Sequence, residues 1–343
     1  MRRVLKHMEK DDRNKQREKS PLKRALGVIA ALAALLVLLG YATPRPAAWL
    51  LHRMFKTPRL APPAGYAEME EQVEVVRDVR YPSQFQSNTA DVYLPRNAVG
   101  KRPVILWAHG GAYVGGDKTD VVYYATALAS QGYVVVSANY ALAPGENYPA
   151  PLLQMGEACR WLAAVQEEYQ LDMERLTLAG DSAGAHLMAQ FALVQTSAVY
   201  AALCGIEATP EAKGIKSLLL YCGPYDAARM GEAEGLLGFF LQRSSWAYFG
   251  TRNWQREYGG QISVAEHVTP EFPPAFITDS NTMSFRMHAE ELAAALQSKN
   301  VPAETYFMSV EEEKTTHEYQ FLMDTPAGEE CFARTLAFLQ KFA

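Results

Sequence analysis

Residues 176–194 hold the feature that most narrows the folds open to this chain. The apolar run Leu176-Thr177-Leu178-Ala179 passes into Gly180-Asp181-Ser182-Ala183-Gly184 and then directly into the helical stretch AHLMAQFALV. Between a strand and a helix, G-x-S-x-G reads as a nucleophile elbow. The glycines on either side of the serine lack a Cβ, so the backbone can turn sharply and lift the hydroxyl above the end of a sheet. The same five residues in a loop would carry little weight. The helix N-terminus that follows places a positive partial charge where an oxyanion would form.

A bend of this kind needs a parallel sheet in front of it and helices around it, and the remainder of the chain has that rhythm. Apolar runs rich in β-branched residues predict strands at Val73 to Val79, Ala90 to Leu94, Val104 to Ala108, Tyr133 to Asn139, Leu176 to Ala179, Ile215 to Cys222, Ala275 to Thr278 and Thr305 to Met308. Helical periods fall between them at Leu152 to Gln170, Ala183 to Val194, Phe285 to Lys299 and Glu329 to Phe342. The pattern predicts an α/β fold: a mostly parallel, eight-stranded sheet with helices on both faces. Between the sixth and seventh strands, residues 226–260 break the alternation with Leu236, Leu237, Phe239, Phe240, Trp246, Tyr248 and Phe249, and read as a small cap over the site. Their side chains are candidates for an acyl pocket, and plain packing accounts for them equally well.

The predicted strand Val104 to Ala108 ends in His109-Gly110-Gly111-Ala112-Tyr113. A carbonyl oxygen gaining charge needs preorganised N–H donors, and glycines let the backbone come close. The candidate oxyanion loop is therefore Gly110, Gly111 and Ala112, with Ala183 from the elbow; Gly110 shapes the turn and His109 holds the loop. A glycine-rich loop also suits phosphate, but no Walker lysine follows at the required spacing.

Charge argues in the same direction. Residues 1–24 carry ten Lys or Arg and four Asp or Glu, leaving 23 basic and 34 acidic residues in the rest. A mildly acidic body lacks the basic face that a nucleic-acid partner requires. Cys159, Cys204, Cys222 and Cys331 are far apart in apolar surroundings, without metal-ligand spacing, and read as small buried hydrophobes.

With HGGAYVGGDK at 109–118, YALAP at 140–144, YPAP at 148–151, GDSAG at 180–184 and PPAF at 273–276, the chain from about Val104 to Phe342 resembles the hormone-sensitive-lipase-like carboxylesterases, a branch of the α/β-hydrolases. The resemblance implies a Ser, Asp, His triad in that chain order, an ester substrate, and neither metal nor organic cofactor. That family usually has a third glycine where Ala112 stands, a change that leaves the N–H donor in place. It places its histidine at His317, in TTHEYQF before the last helix, usually followed by Gly rather than Glu318. The other histidines lie near the N-terminal segment (His7, His52), in the oxyanion loop (His109), or on helices and loops elsewhere (His186, His267, His288). Ser182 is thus the expected nucleophile and His317 its base.

The orienting acid stays open. The family's Asp stands four residues after the threonine closing the seventh strand, where this chain has Thr282. Asp279 is the nearest carboxylate, Asn281 could orient the imidazole as a neutral amide, and another group or none is the third alternative. Asp181, on the elbow, is expected to point away from the histidine.

Before all this, Ala25 to Ala42 forms an uncharged apolar run of 18 residues behind a basic lead. Its length reaches the lower end of a bilayer span, and the positive-inside rule would send the domain outward. The competing reading is a signal peptide, with Gly40 and Ala42 as small residues at the cut. The expected organisation is a basic cytoplasmic segment 1–24, an anchor 25–42, a linker with a short interfacial or capping helix 43–72, and the hydrolase domain 73–343. The function expected is a membrane-attached serine hydrolase cleaving short- or medium-chain carboxylic esters through an acyl-enzyme. A deacetylase of surface polysaccharide on the same fold, and a non-catalytic binding protein that keeps it, are the alternatives.

Overall fold

Residue 105 of the strand Val104-Ile105-Leu106-Trp107-Ala108 must face away from residues 104 and 106. In the computed structural model, which describes residues 20–55, 60–97, 99–232 and 235–343, Val104, Leu106 and Ala108 join one buried apolar cluster. Ile105 and Trp107 join another. A strand covered on both faces reads as an unbroken apolar run, which is why these segments show no polar alternation. The strands are β1 (Val73–Arg80), β2 (Thr89–Pro95), β3 (Arg102–Ala108), β4 (Val134–Ala138), β5 (Leu171–Asp181), β6 (Ile215–Tyr221), β7 (Ala275–Thr278) and β8 (Ala303–Tyr306). Their order in the sheet is β1-β2-β4-β3-β5-β6-β7-β8. The pairings of β2 with β1 and with β4 are antiparallel, and the rest are parallel.

The helices are α1 (Ser20–Ala42), α2 (Arg45–Phe55), α3 (Tyr66–Glu71), α4 (Val122–Ser130), α5 (Ala150–Ala164), α6 (Ala183–Thr196), α7 (Ala198–Cys204), α8 (Gly235–Phe249), α9 (Trp254–Ile262), α10 (Val264–His267), α11 (Arg286–Ser298) and α12 (Pro326–Phe342). Tyr124 and Leu128 of α4 and Phe338 and Leu339 of α12 cover one face of the sheet. Met155 of α5, Leu187 and Phe191 of α6 and Leu292 of α11 cover the other.

Two expected boundaries move for identifiable reasons. β5 begins five residues before the predicted Leu176, because Leu171 and Asp172 pair with Arg102 and Pro103 at the start of β3. β8 lies two residues earlier than Thr305 to Met308, set by pairing of Ala303 through Tyr306 with the four residues of β7. The interruption between β6 and β7 is helical, with α8, α9 and α10 carrying it to His267, beyond the expected end near 260.

The chain divides into two compact units, Met1–Ala47 and Ala48–Ala343. Within the first, the apolar run forms part of α1, with Leu26, Val28 and Ile29 exposed. The basic stretch before Ser20, and side chains 20–22, 33, 36 and 37 of α1, lie outside the described residues. Among the described residues no single helix is long and apolar enough to cross a membrane.

Candidate active site

Parallel strands deliver their following loops to one edge of a sheet, and here the loops after β3, β5, β7 and β8 meet there. Ser182 follows β5 with φ 50° and ψ −117°, a backbone that suits glycine and costs other residues about 1–3 kcal/mol. The surroundings hold it. The Ser182 amide donates to the Tyr221 carbonyl at 2.8 Å. A Cβ on Gly180 would stand 2.5 Å from the Gly184 carbonyl, and a Cβ on Gly184 would stand 2.0 Å from that of Ala108. The elbow is thus packed onto the end of β3, so Gly184→Ala is expected to destabilise the fold by about 3 kcal/mol or more, at the severe end for single substitutions. A chemical denaturation midpoint within error of the parent would refute this.

His317 lies in the loop before α12, and its Nε2 stands 2.9 Å from Ser182 Oγ. Phe285 contacts the imidazole edge-on, with ring centroids 5.7 Å apart. Behind the ring, a carboxylate oxygen of Asp279, a ring nitrogen of His317 and Cys222 Sγ all lie within 4.8 Å of one another. Asp279 is 1% exposed. Its Oδ1 accepts from the Ser280 amide at 2.7 Å and from the hydroxyls of Ser280 and Ser284 at 3.3 and 3.0 Å, while Oδ2 accepts no hydrogen bond among the described residues. Burial raises the Asp279 carboxyl from its ordinary range, while His317 and these donors pull it back. Burial keeps the Cys222 thiol protonated, and a thiol so held is a poor metal ligand. The cluster therefore suits an acid and base pair beside a packed thiol.

Asn281, the neutral-amide alternative, is turned elsewhere. Its Nδ2 donates to the Glu313 carbonyl at 2.7 Å, and its Oδ1 accepts from the Thr315 amide at 2.9 Å. Thr282 adds two donors to the Thr315 carbonyl, one from its hydroxyl at 2.6 Å and one from its amide at 3.1 Å. Asn281 and Thr282 thus fasten the loop after β7 to the loop that carries His317. Pattern reading gave no sign of this tie, because an Asn-to-backbone link across 34 residues has no local signature.

The loop after β3 is fixed by its side chains. Tyr113 is buried, stacks on Tyr248 with centroids 4.0 Å apart, and its hydroxyl meets His186 Nδ1 at 2.9 Å. His186 Nε2 donates to the Ile262 carbonyl at 3.1 Å, and burial lowers this histidine to about 4, so it stays neutral. His109 Nδ1 donates to the Gly110 carbonyl at 2.7 Å, as expected of a residue that holds the loop.

The Gly110 N–H donates to Asp181 Oδ2 at 2.7 Å, so it is taken up in shaping the turn. The Gly111 and Ala112 amides donate to no other backbone carbonyl among the described residues, and Ala183 opens α6, where a helix has no partner for its first N–H groups. Ala112 has φ 52°, so alanine at the position where the resembled family has glycine is strained by about 1 kcal/mol. Asp181 accepts from Trp107 Nε1 at 2.8 Å as well as from Gly110.

The serine and histidine open into a cavity of about 480 Å³, walled by Leu51 and Phe55 of α2, Leu237, Phe240 and Leu241 of α8, and Phe285. Of the cap aromatics, only Phe240 reaches it. Tyr248 packs on Tyr113, Phe249 stacks on Trp254, and Trp246 lies under Arg252. A larger recess of about 540 Å³ around Arg102 and Gln131 contains none of these groups. The Asp and Lys of HGGAYVGGDK are structural. Lys118 Nζ bridges Asp78 and Asp91 at 2.9 Å each, and Asp117 caps the turn Lys118–Val121.

Comparison with known proteins identifies the family and the fold. The chain is similar to esterase LipQ of Mycobacterium tuberculosis, 26% identical over 237 residues, covering 67% of this chain and 54% of that protein. It also resembles carboxylesterase NlhH of the same species, 39% identical over 103 residues, or 29% of this chain and 32% of the relative. The chain spans about half the length of LipQ or less of the curated relatives it matches. Among solved structures, esterase B from Lactobacillus rhamnosis superposes with a TM-score of 0.72 at 20% identity, covering 91% of this chain and 96% of that one. The carboxylesterase EstE1 from a metagenomic library gives 0.66 at 20%, covering 87% and 97%. The BD-FAE family profile matches residues 90–289. Since that match takes in more than half of the sequence, the chain belongs to the BD-FAE family, on the α/β-hydrolase fold.

Proposed function

We propose that this protein is a serine carboxylesterase that cleaves short- or medium-chain carboxylic esters through an acyl-enzyme. The observation that carries the reading is the 2.9 Å contact between Ser182 Oγ and His317 Nε2, with Asp279 behind the imidazole. As the serine oxygen attacks the ester carbon, His317 takes its proton. The charge appearing on the former carbonyl oxygen faces the N–H groups of Gly111, Ala112 and Ala183. When the tetrahedral species collapses, the imidazolium gives the proton to the departing alkoxide. Water then repeats the sequence on the acyl-serine, with the same base.

Acyl-chain selection falls to the apolar cavity. A fluorophosphonate probe is expected to label Ser182, and p-nitrophenyl esters are expected to turn over fastest with acyl chains that fill the pocket without overrunning it. Leu241→Trp, which fills the far wall, is expected to shift that preference to shorter chains by about tenfold in kcat/KM, the scale of a few methylenes in a hydrophobic pocket. Failure of the probe to label intact protein would favour the non-catalytic binding reading. The sequence run Ala25 to Ala42 supports a further part of the reading, an uncleaved anchor with the hydrolase unit on the extracytoplasmic side; the mass of the mature chain separates it from a cleaved signal.

A further inference from the structure

Glu318 follows the base, and its backbone is left-handed at φ 62°, the conformation that would favour glycine there. Its side chain is turned inward, 20% exposed, with Oε1 3.8 Å from His317 Nε2. The point where a Cβ on Gly110 would stand lies 2.8 Å from Glu318 Oε1 and 2.4 Å from Asp181 Oδ2. Two carboxyl groups, one from the elbow and one from the histidine loop, therefore converge over the first glycine of the oxyanion loop. Asp181 accepts an N–H on each oxygen, from Trp107 and from Gly110, which ties it to the end of β3 and to the oxyanion loop. Two like charges in one buried site do not both ionise readily.

We propose that Asp181 and Glu318 form a carboxyl pair that shares one proton at neutral pH and fastens the His317 loop to the oxyanion loop, making Glu318 a positioning residue. The direction of titration agrees: burial, and then Glu318, push the Asp181 carboxyl well above the usual range, against the pull of Trp107, His109 and Gly110. The other groups facing the pair are His317, Asp120, Tyr140 and Cys222. Burial raises both Tyr140 and Cys222, so neither competes for the proton near neutrality. The pair titrates as a unit. Loss of its proton sets two charges against each other beside the amides that must receive an oxyanion, and loosens the loop that carries the base.

The activity readout rests on the esterase reading; the spectroscopic one does not. In the full-length protein, the kcat profile is expected to fall on the alkaline side. In Glu318→Gln, which keeps a donor for Asp181 but does not titrate, that limb is expected to move up by about one pH unit or more, while the acid limb set by His317 remains. Glu318→Ala, with no donor, is expected to lower kcat about tenfold with a smaller change in KM. The infrared carbonyl absorption of protonated carboxyls at pH 7 is expected to be weaker in Glu318→Gln than in the parent. Superimposable pH profiles of parent and Glu318→Gln, or a carbonyl band of unchanged intensity and position in that variant, would overturn the proposal. If the parent turns over no ester, the carboxylesterase reading fails and the infrared band alone decides the pairing.

Discussion

Ser182→Ala is expected to reduce ester turnover on the order of 10⁶-fold, since removing a nucleophile from a serine triad costs about as much as removing the whole triad. Burst kinetics with a p-nitrophenyl ester, alongside loss of probe labelling, measures it. Residual turnover within a hundredfold of the parent would mean that another group attacks. Ser182→Gly should lose activity to the same degree and yet unfold a few degrees higher, because glycine relieves about 1–3 kcal/mol of backbone strain at φ 50°, ψ −117°. The opposite signs of these effects separate chemistry from folding. A substitution that merely damaged the fold would lower both.

Asp279→Asn is expected to lower kcat about 10⁴-fold, the size seen when the orienting acid of a serine protease becomes an amide. The asparagine oxygen can keep the Ser280 and Ser284 donors, so its NH₂ is turned to the imidazole. His317 Nδ1 must then accept, the ring proton moves to Nε2, and the base can no longer take the serine proton. Because burial raises the Asp279 carboxyl, the charged form is disfavoured in the fold. The sign follows: carboxyl stability is full below the unfolded carboxyl range and falls as pH rises through the raised value. At pH 8 the amide variant should therefore be at least as stable to heat as the parent. Asn281→Ala serves as the contrast. It removes the bonds to Glu313 and Thr315 without changing the imidazole's proton, so its loss is expected to be smaller and to come with a lower melting temperature. Equal losses of kcat in both variants would sink the assignment of Asp279.

How much of this was legible beforehand depended on whether the cause was local. The elbow was, because the turn needs glycines at fixed offsets from the serine. The buried strands of β3, β4 and β6 were, because burial on both faces leaves an apolar run. Helix α4 was less so: Tyr124 to Ala129 are all buried, which removes the polar face that betrays a helical period. The acid was open because counting from the closing threonine lands on Thr282, while the carboxylate that stands within 4.8 Å of a His317 ring nitrogen belongs to the residue directly after the strand. Gly110 was read as shaping its turn, but only the three-dimensional position of Asp181, 71 residues away, shows what its N–H is bonded to. The roles of Asn281 and Glu318 depend on contacts between loops that no spacing encodes.

The loops after β7 and β8 are joined by the bonds of Asn281 and Thr282 to Glu313 and Thr315, whereas the serine and its amide donors ride on β5 and β3 in the middle of the sheet. The groups are therefore divided between the middle of the sheet and its outermost pair of strands. Fraying at that margin would withdraw acid and base together as one piece while the serine stayed in place, so proton transfer is the step most exposed to local opening.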